Sequence, residues 1–303
     1  MEFRRRRPSS QTIEWVERVA GARVVAWRRM TGGISSAVHR LTIDHGGYRD
    51  VLVLRQYDQG AALADSETAA LVRDEAAALR AVHDAGLPAP EPIAADADGR
   101  ESDGHPGILM TRLPGRVDLT PADPEGWLRQ TAATAARIHD VRAAAPPFRG
   151  RIDAAAPVVP ASATRPAVWE AAFCLLRQQA PEPAACFIHR DFQPFNLLWR
   201  RGRLTGVVDW AMSCTGPPDF DTGHCRLNLA VLFGADWAER LRLAYEAEAG
   251  RAIDPWWDLY AVTAYSDKWP RFIPVQVAGR APVDTAGMTS RVEDLLEAVL
   301  GRL

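Results

Sequence analysis

One short stretch restricts the folds open to this chain more than any other. It reads Cys186-Phe187-Ile188-His189-Arg190-Asp191-Phe192-Gln193-Pro194-Phe195-Asn196-Leu197-Leu198-Trp199, then Arg200-Arg201-Gly202-Arg203, then Leu204-Thr205-Gly206-Val207-Val208-Asp209-Trp210. Two apolar runs flank a glycine turn, which is the pattern of a β-hairpin. With Gly202 and Arg203 at the centre of the turn, residue 201 pairs with 204 and 196 with 209. Asn196 and Asp209 then become cross-strand neighbours at the open end, with Cα atoms about 4.5–5.5 Å apart. An amide oxygen and a carboxylate are hard oxygen ligands, a set that suits Mg²⁺ shared with substrate phosphates. Asp191 lies five residues before Asn196 on a loop stiffened by Pro194. A carboxylate there is placed to accept a proton from an incoming hydroxyl. Taken singly, these residues would serve as polar caps on a surface hairpin. Their joint spacing, HxDxxxxN followed by a hairpin and Val-Val-Asp-Trp, points instead to one site.

The rest of the chain supplies a frame for that island. Residues 12–20 place Ile13, Val16 and Val19 on one helical face. Strand-like runs follow at 23–30, 38–43 and 51–55, joined by the loop 31–36 and the turn Asp44-His45-Gly46-Gly47, so an antiparallel meander is expected. Residues 66–85 form a long alanine-rich helix, stopped by Gly86, Pro88 and Pro90. Two short strands come next, the second at 107–110. Leu113-Pro114-Gly115 marks a boundary, so the expected organisation is a first lobe over 1–112 and a second over 113–303. The second is mostly helical, with helices at about 124–141, 166–180, 235–250 and 290–302 interrupted by the β island.

Composition closes several other routes. The chain has 303 residues, 47 % of them apolar and 24 % charged, with a net charge of −2. That balance lacks the basic excess of a nucleic-acid binder. No run of about 18 apolar residues predicts a membrane span. The four arginines near the N-terminus have no apolar segment after them, so they do not read as a secretory signal. Lys268 is the sole lysine among 36 basic residues and lies between Asp267 and Trp269, which excludes a GxxxxGK[ST] phosphate loop. The cysteines Cys174, Cys186, Cys214 and Cys225 form no CxxC pair and read as free thiols in a reducing, cytoplasmic setting. Neither HExxH nor GxSxG is present, so the zincin and hydrolase-elbow readings have no support.

The motifs HRDFQPFN and GVVDW resemble those of the aminoglycoside phosphotransferase and choline kinase-like superfamily, which shares the protein-kinase fold. The resemblance covers most of the chain. TGGISS is similar to the family's nucleotide loop, VLVLRQY to its third strand, VRDEAAALRAV to the helix with an ion-pair glutamate, and GILMTRLPG to its hinge. It implies an α+β, bilobal protein-kinase-like fold: a small antiparallel β-sheet lobe with one main helix, and a larger, mostly helical lobe with a catalytic β-hairpin. It implies Asp191 as catalytic base or orienting carboxylate, with Asn196 and Asp209 holding Mg²⁺ against the phosphates of ATP. His189 would support the loop, and Asp221 would anchor it from below. Gly32, Gly33, Ser35, Ser36, Arg55, Glu75 and Met110 would contact or frame the nucleotide. Glu67 and Asp74 compete with Glu75, which the family pattern selects. The family's usual lysine is Arg55 here. Arginine keeps the charge but is bulkier, so the change is not conservative at such a site. Gln193 and Phe195 also depart from the commoner His and Gly.

The implied reaction is transfer of the γ-phosphoryl group of ATP to a hydroxyl of a small molecule, without nucleic-acid or membrane partners. Residues 209–303 hold 14 acidic and 9 basic residues, a net −5, against a net +5 over 141–203. An acidic pocket attracts a cationic acceptor, with Asp254, Asp258 and Asp267 as candidates, although an acidic solvated face fits equally. Aromatic residues from Trp237 to Trp269 would cage a quaternary amine, stack on a sugar, or simply form core. An aminoglycoside-like acceptor leads, and antibiotic resistance would follow from it. Choline, amino-alcohol, sugar and macrolide acceptors remain, as does a nucleotide-binding pseudokinase.

Overall fold

The structure, a computed structural model, describes residues 7–30, 36–58, 65–150 and 157–303. Contacts divide the chain into two units. The first is Met1–Pro114 with Trp210–Met212, the second Gly115–Asp209 with Ser213–Leu303.

In the first unit, helix α1 (Ser10–Ala20) starts at Ser9, whose hydroxyl accepts from the Thr12 backbone N–H. Five strands follow in an antiparallel sheet: β1 (Arg23–Arg29), β2 (Ser36–Asp44), β3 (Arg49–Tyr57), β4 (Pro92–Asp96) and β5 (Gly107–Thr111), ordered β1-β2-β3-β5-β4. Helix α2 (Asp65–Asp84) lies between β3 and β4 in sequence. Strand alternation sorts this sheet into two chemically distinct faces. Leu41, Ile43, Leu52, Leu54 and Leu109 pack with Trp15 and Val16 of α1 into an apolar core. The helix buries Thr12, Trp15 and Val16, so the expected stripe of Ile13, Val16 and Val19 is rotated towards Trp15. The opposite face carries Val38, Arg55 and Ile108 as direct cross-strand partners, with Val53 and Met110 one pair further on.

The second unit is built mainly from helices: α3 (Pro124–His139), α4 (Pro166–Leu176), α5 (Pro218–Phe233), α6 (Ala235–Ala249), α7 (Pro255–Val262), α8 (Trp269–Val277) and α9 (Met288–Leu300). Two small ribbons sit among them. Strand β6 (Cys186–Ile188) pairs with β9 (Cys214–Gly216), and β7 (Leu197–Arg200) with β8 (Arg203–Val207). The expected helices at 124–141, 166–180, 235–250 and 290–302 are present with shifted ends, but α5, α7 and α8 add to them. Helix α5 left no helical period because nearly its whole length is buried, Pro218 to Val231 without a break. A Cβ on Gly223 would meet the Ala261 Cβ at 2.7 Å, so glycine there permits α5 to approach α7 closely.

The hairpin corrects the expected register. Arg200 pairs with Arg203, so the turn centre is Arg201-Gly202, with φ of 52° and 72°. Two positive φ values mark a type I′ turn, whose twist matches the flanking strands. A bulge between Leu198 and Trp199 shifts the pairing once more, and Leu197 lies opposite Val207. Asn196 consequently faces Val208, whose backbone N–H donates to the Asn196 carbonyl at 3.0 Å. Asp209 is one residue beyond its expected partner. It has left the strand, with φ of 68°, and is exposed.

Candidate active site

The first unit presents a closed polar cluster. Arg55 on β3 and Glu75 on α2 are 8 % and 1 % exposed. Arg55 Nη1 donates to Glu75 Oε1 at 2.8 Å, and Tyr57 Oη donates to Oε2 at 2.7 Å. Both carboxylate oxygens therefore have partners, which a buried ion requires. The guanidinium lies 5.1 Å from the Tyr57 ring centroid, a cation–π arrangement. Arg55 Nε donates to Ser36 Oγ at 3.0 Å. Ser36, expected to face phosphate oxygens, is buried at the start of β2, where its hydroxyl accepts from Arg55. Gly32, Gly33 and Ser35 lie outside the described residues. Met110 is buried on the sheet face that bears Arg55, across from Val53 and Pro92.

The second unit presents the loop between β6 and β7. Asp191 is about one-fifth exposed. Its Oδ2 accepts from Gln193 Nε2 at 3.0 Å and Asn196 Nδ2 at 3.1 Å. Asn196 Nδ2 also donates to the Asp191 carbonyl at 2.9 Å. The amide nitrogen of Asn196 is thus engaged inside the loop, and its carbonyl oxygen is the hard donor that can face a cation. Asn196 and Asp209 are the two oxygen donors expected from the sequence to face Mg²⁺, a metal that completes its shell with water and phosphate oxygens. Among the described residues no group of three or more His, Cys, Asp and Glu could hold a metal.

Buried supports hold the loop in place. His189 is fully buried; its Nδ1 accepts from the Asp191 backbone N–H at 3.2 Å, so Nε2 carries the proton and donates to the Val208 carbonyl at 3.0 Å. Asp221 on α5 accepts from the backbone N–H groups of His189 at 2.7 Å and Arg190 at 2.6 Å. Arg190 adopts φ of 66°, a conformation that needs such over-determination. His139 Nε2 reaches Asp221 at 3.3 Å, and its Nδ1 meets Tyr245 Oη at 2.7 Å. Arg251 donates to the same Tyr245 oxygen at 2.8 Å and to Asp219 at 2.7 Å. His139 Nε2 faces the Asp221 carboxylate, which only accepts, so Nε2 carries the proton and Nδ1 accepts from the Tyr245 hydroxyl. Burial pushes the Tyr245 phenol up and keeps it protonated. Burial likewise raises Asp219, against the opposing pull of Arg251. It pushes the Cys186 thiol up to about 12 and raises Cys225 as well, leaving both as inert thiols.

Sequence reading had no sign of the His139–Tyr245–Arg251 chain, because its members lie on three elements distant in sequence. It also placed Asp254, Asp258 and Asp267 as candidates for a cationic acceptor, and each has a structural partner. Asp254 caps α7 by accepting from Trp256 N–H. Asp258 is fully buried between Arg226 and Arg302. Asp267 accepts from Ala161 N–H and from the Ser162 backbone and hydroxyl. In the aromatic group Trp257, Tyr260 and Tyr265 are buried, whereas Trp256, stacked on Tyr260, Trp237, packed on Phe233, and Trp269 are half-buried.

A family model described as the phosphotransferase enzyme family matches residues 26–260. The chain belongs to that family. It is an ATP-dependent phosphotransferase with an alcohol group as acceptor. Solved structures agree in fold. The macrolide 2'-phosphotransferase MphH from Brachybacterium faecium is 19 % identical at a TM-score of 0.57, covering 95 % of this chain and 97 % of that one. The aminoglycoside phosphotransferase APH(4)-Ia, as a thermostable mutant in ternary complex with ADP and hygromycin B, is 18 % identical at 0.58, covering 96 % and 98 %. The gentamicin complex of APH(2")-IIa is 14 % identical at 0.56, covering 98 % and 97 %. No curated protein sequence matches significantly. The phosphotransferase has the α+β bilobal kinase-like fold of these structures, and no described helix is long and apolar enough to cross a membrane.

Proposed function

We infer that this phosphotransferase transfers the γ-phosphoryl group of Mg²⁺-bound ATP to a hydroxyl of an aminoglycoside-like or other amino-containing small molecule. The observation that carries the reading is the Asp191 carboxylate. One of its oxygens is tied down by Gln193 and Asn196 while the side chain stays partly open to solvent. A fixed carboxylate of that kind orients an alcohol and takes its proton as the phosphorus–oxygen bond forms. Asn196 and Asp209 are assigned to Mg²⁺, which would neutralise phosphate charge. Arg55, braced by Glu75, is assigned to the α and β phosphates, with Met110 near the base.

The acceptor class rests on the net negative charge of residues 209–303 and on the aminoglycosides held by two of the similar structures. Asp254, Asp258 and Asp267 no longer support it. A pseudokinase is disfavoured by the intact Arg55–Glu75 pair and by the Asp191–Asn196 contact.

The purified protein should be incubated with ATP and Mg²⁺ against amino-sugars, amino-alcohols, sugars and macrolides, with mass spectrometry detecting addition of one phosphoryl group. A phosphorylated amino-sugar, lost when EDTA removes the metal, is the expected result. A product confined to neutral sugars would overturn the acceptor class. Tight ATP binding without any product would favour the pseudokinase.

A further inference from the structure

His224 is the one histidine of α5 and lies one turn beyond Asp221. It is 5 % exposed, and its ring stacks on Phe220 with planes 5° apart. Its Nε2 stands 3.3 Å from Oδ1 of Asp191. Neither ring nitrogen forms a hydrogen bond among the described residues. Polar neighbours on the same helix are engaged: Asp219 holds Arg251, Asp221 holds the loop backbone, and Arg226 holds Asp258. A buried imidazole with two idle nitrogens is uncommon enough to need a reason. Stacking on Phe220 sets the ring plane, so the nitrogen is held beside the carboxylate rather than turned away from it.

The two oxygens of Asp191 are treated differently. Two amide donors converge on Oδ2, from Gln193 and Asn196. Oδ1 faces His224. A carboxylate oxygen accepts about two hydrogen bonds in its plane, so one from His224 does not by itself bar the acceptor hydroxyl from Oδ1. Catalytic hydrogen bonds that are poorly aligned without substrate commonly tighten once it is bound.

We propose that His224 is a positioning residue: its Nε2–H bonds Oδ1 of Asp191 in the substrate complex and fixes the rotation of the carboxylate, so that the second acceptor direction of Oδ1 meets the hydroxyl. The assignment rests on the phosphotransfer reading and on the role given there to Asp191. It names a residue outside the loop motif, brought to the reacting carboxylate by the helix that also carries the loop's anchor, Asp221. The hydroxyl proton still goes to Asp191. His224 controls where that carboxylate points, and a small error in that direction is costly for the rate.

Two variants separate this role from packing. His224→Phe keeps an aromatic ring on Phe220 and removes the donor. His224→Gln gives up the ring and returns an N–H donor near the position of Nε2. His224→Phe is expected to lower kcat by about 100-fold with KM for acceptor and ATP unchanged. His224→Gln is expected to recover kcat to within about five-fold of the parent. Parental kcat in His224→Phe overturns the proposal, and so does a His224→Gln variant of parental Tm that is no more active than the Phe variant. Nitrogen-15 NMR of the His224 side chain reads the same contact without turnover. The expected state is the Nε2–H tautomer, with a resonance displaced by Asp191→Asn; an Nδ1–H tautomer overturns the positioning role alone. Parent protein inert towards the whole acceptor panel overturns the phosphotransfer reading, and this proposal with it.

Discussion

Each unit is organised round a carboxylate that is almost wholly buried, and the two are satisfied in different ways. Glu75 in the first unit accepts from two side chains, the Arg55 guanidinium and the Tyr57 phenol. Asp221 in the second accepts from two backbone N–H groups, those of His189 and Arg190, with His139 beside them. Glu75 therefore holds a side chain in one pose while the strand beneath would stand without it. Asp221 holds the chain itself, including a left-handed Arg190 that the loop would not adopt unaided. On the proposed function the contrast separates a phosphate-binding group, whose loss would show in affinity, from a loop shape, whose loss would show in both stability and rate.

The comparison can be broken most severely at Asp191, the residue the second anchor positions. Asp191→Asn should lower kcat by about 10³-fold or more through loss of the proton acceptor. Calorimetric titration should find ATP affinity nearly unchanged, and substantial residual turnover would remove Asp191 from its assigned role. At the anchor itself, Asp221→Asn replaces one acceptor oxygen with an N–H₂ that faces a backbone donor. Denaturant unfolding should show a loss of about 3 kcal/mol, since a buried charged acceptor is removed from its donors. Turnover should fall with it, and an Asp221→Asn protein of parental stability would refute the anchoring role.

The first anchor predicts a different signature. Arg55→Lys can keep an ion pair with Glu75 but offers no second planar N–H to Ser36 Oγ. KM for ATP should rise about ten-fold, equivalent to about 1.4 kcal/mol, with kcat changed far less. If kcat fell and KM did not, Arg55 would belong with the reacting groups instead. The finest test compares two phenols. Tyr57→Phe deletes the hydroxyl bond to Glu75 and Tyr245→Phe those to His139 and Arg251, at about 1 kcal/mol of stability per bond. Steady-state kinetics should place the first on KM for ATP and the second on kcat, because Tyr245 reaches the loop through His139 and Asp221. Both effects falling on the same constant would erase the distinction between the units.

Legibility followed solvent exposure and sequence distance. The meander, α2 and the hairpin were readable because each has one wet side, which writes a period into the sequence. Asp191 and Asn196 were readable because both lie on one loop five residues apart, and the structure joins them directly. Arg55 and Glu75, on separate elements, were paired only by family pattern. Helix α5 was not readable as a helix, although the family pattern marked its Asp221: buried all round, it mixes Asp219, Asp221, His224, Arg226 and Asn228 with apolar residues at no fixed spacing. The hairpin register slipped because a bulge at Leu198 leaves no mark in an alternating apolar run. The contact of Ser36 with Arg55 was hidden for a related reason, since a serine beside a glycine loop looks the same whether its hydroxyl serves a ligand or an arginine nineteen residues on.

Local chemistry alone therefore determined the kind of protein this is: the HxDxxxxN loop, the Val-Val-Asp-Trp ending and the strand-and-helix frame are all short-range patterns, and short-range patterns survive in one dimension. Tertiary structure decided which charges are in use. It assigned Asp254, Asp258 and Asp267 to caps and ion pairs, drew Tyr245 and Arg251 into the support of the loop, and set His224 against Asp191. Each of those outcomes depends on which buried polar group finds a partner, and burial cannot leave such groups unpaired without cost. Partners of that kind are chosen by packing between distant segments, a relation that spacing along the chain does not encode.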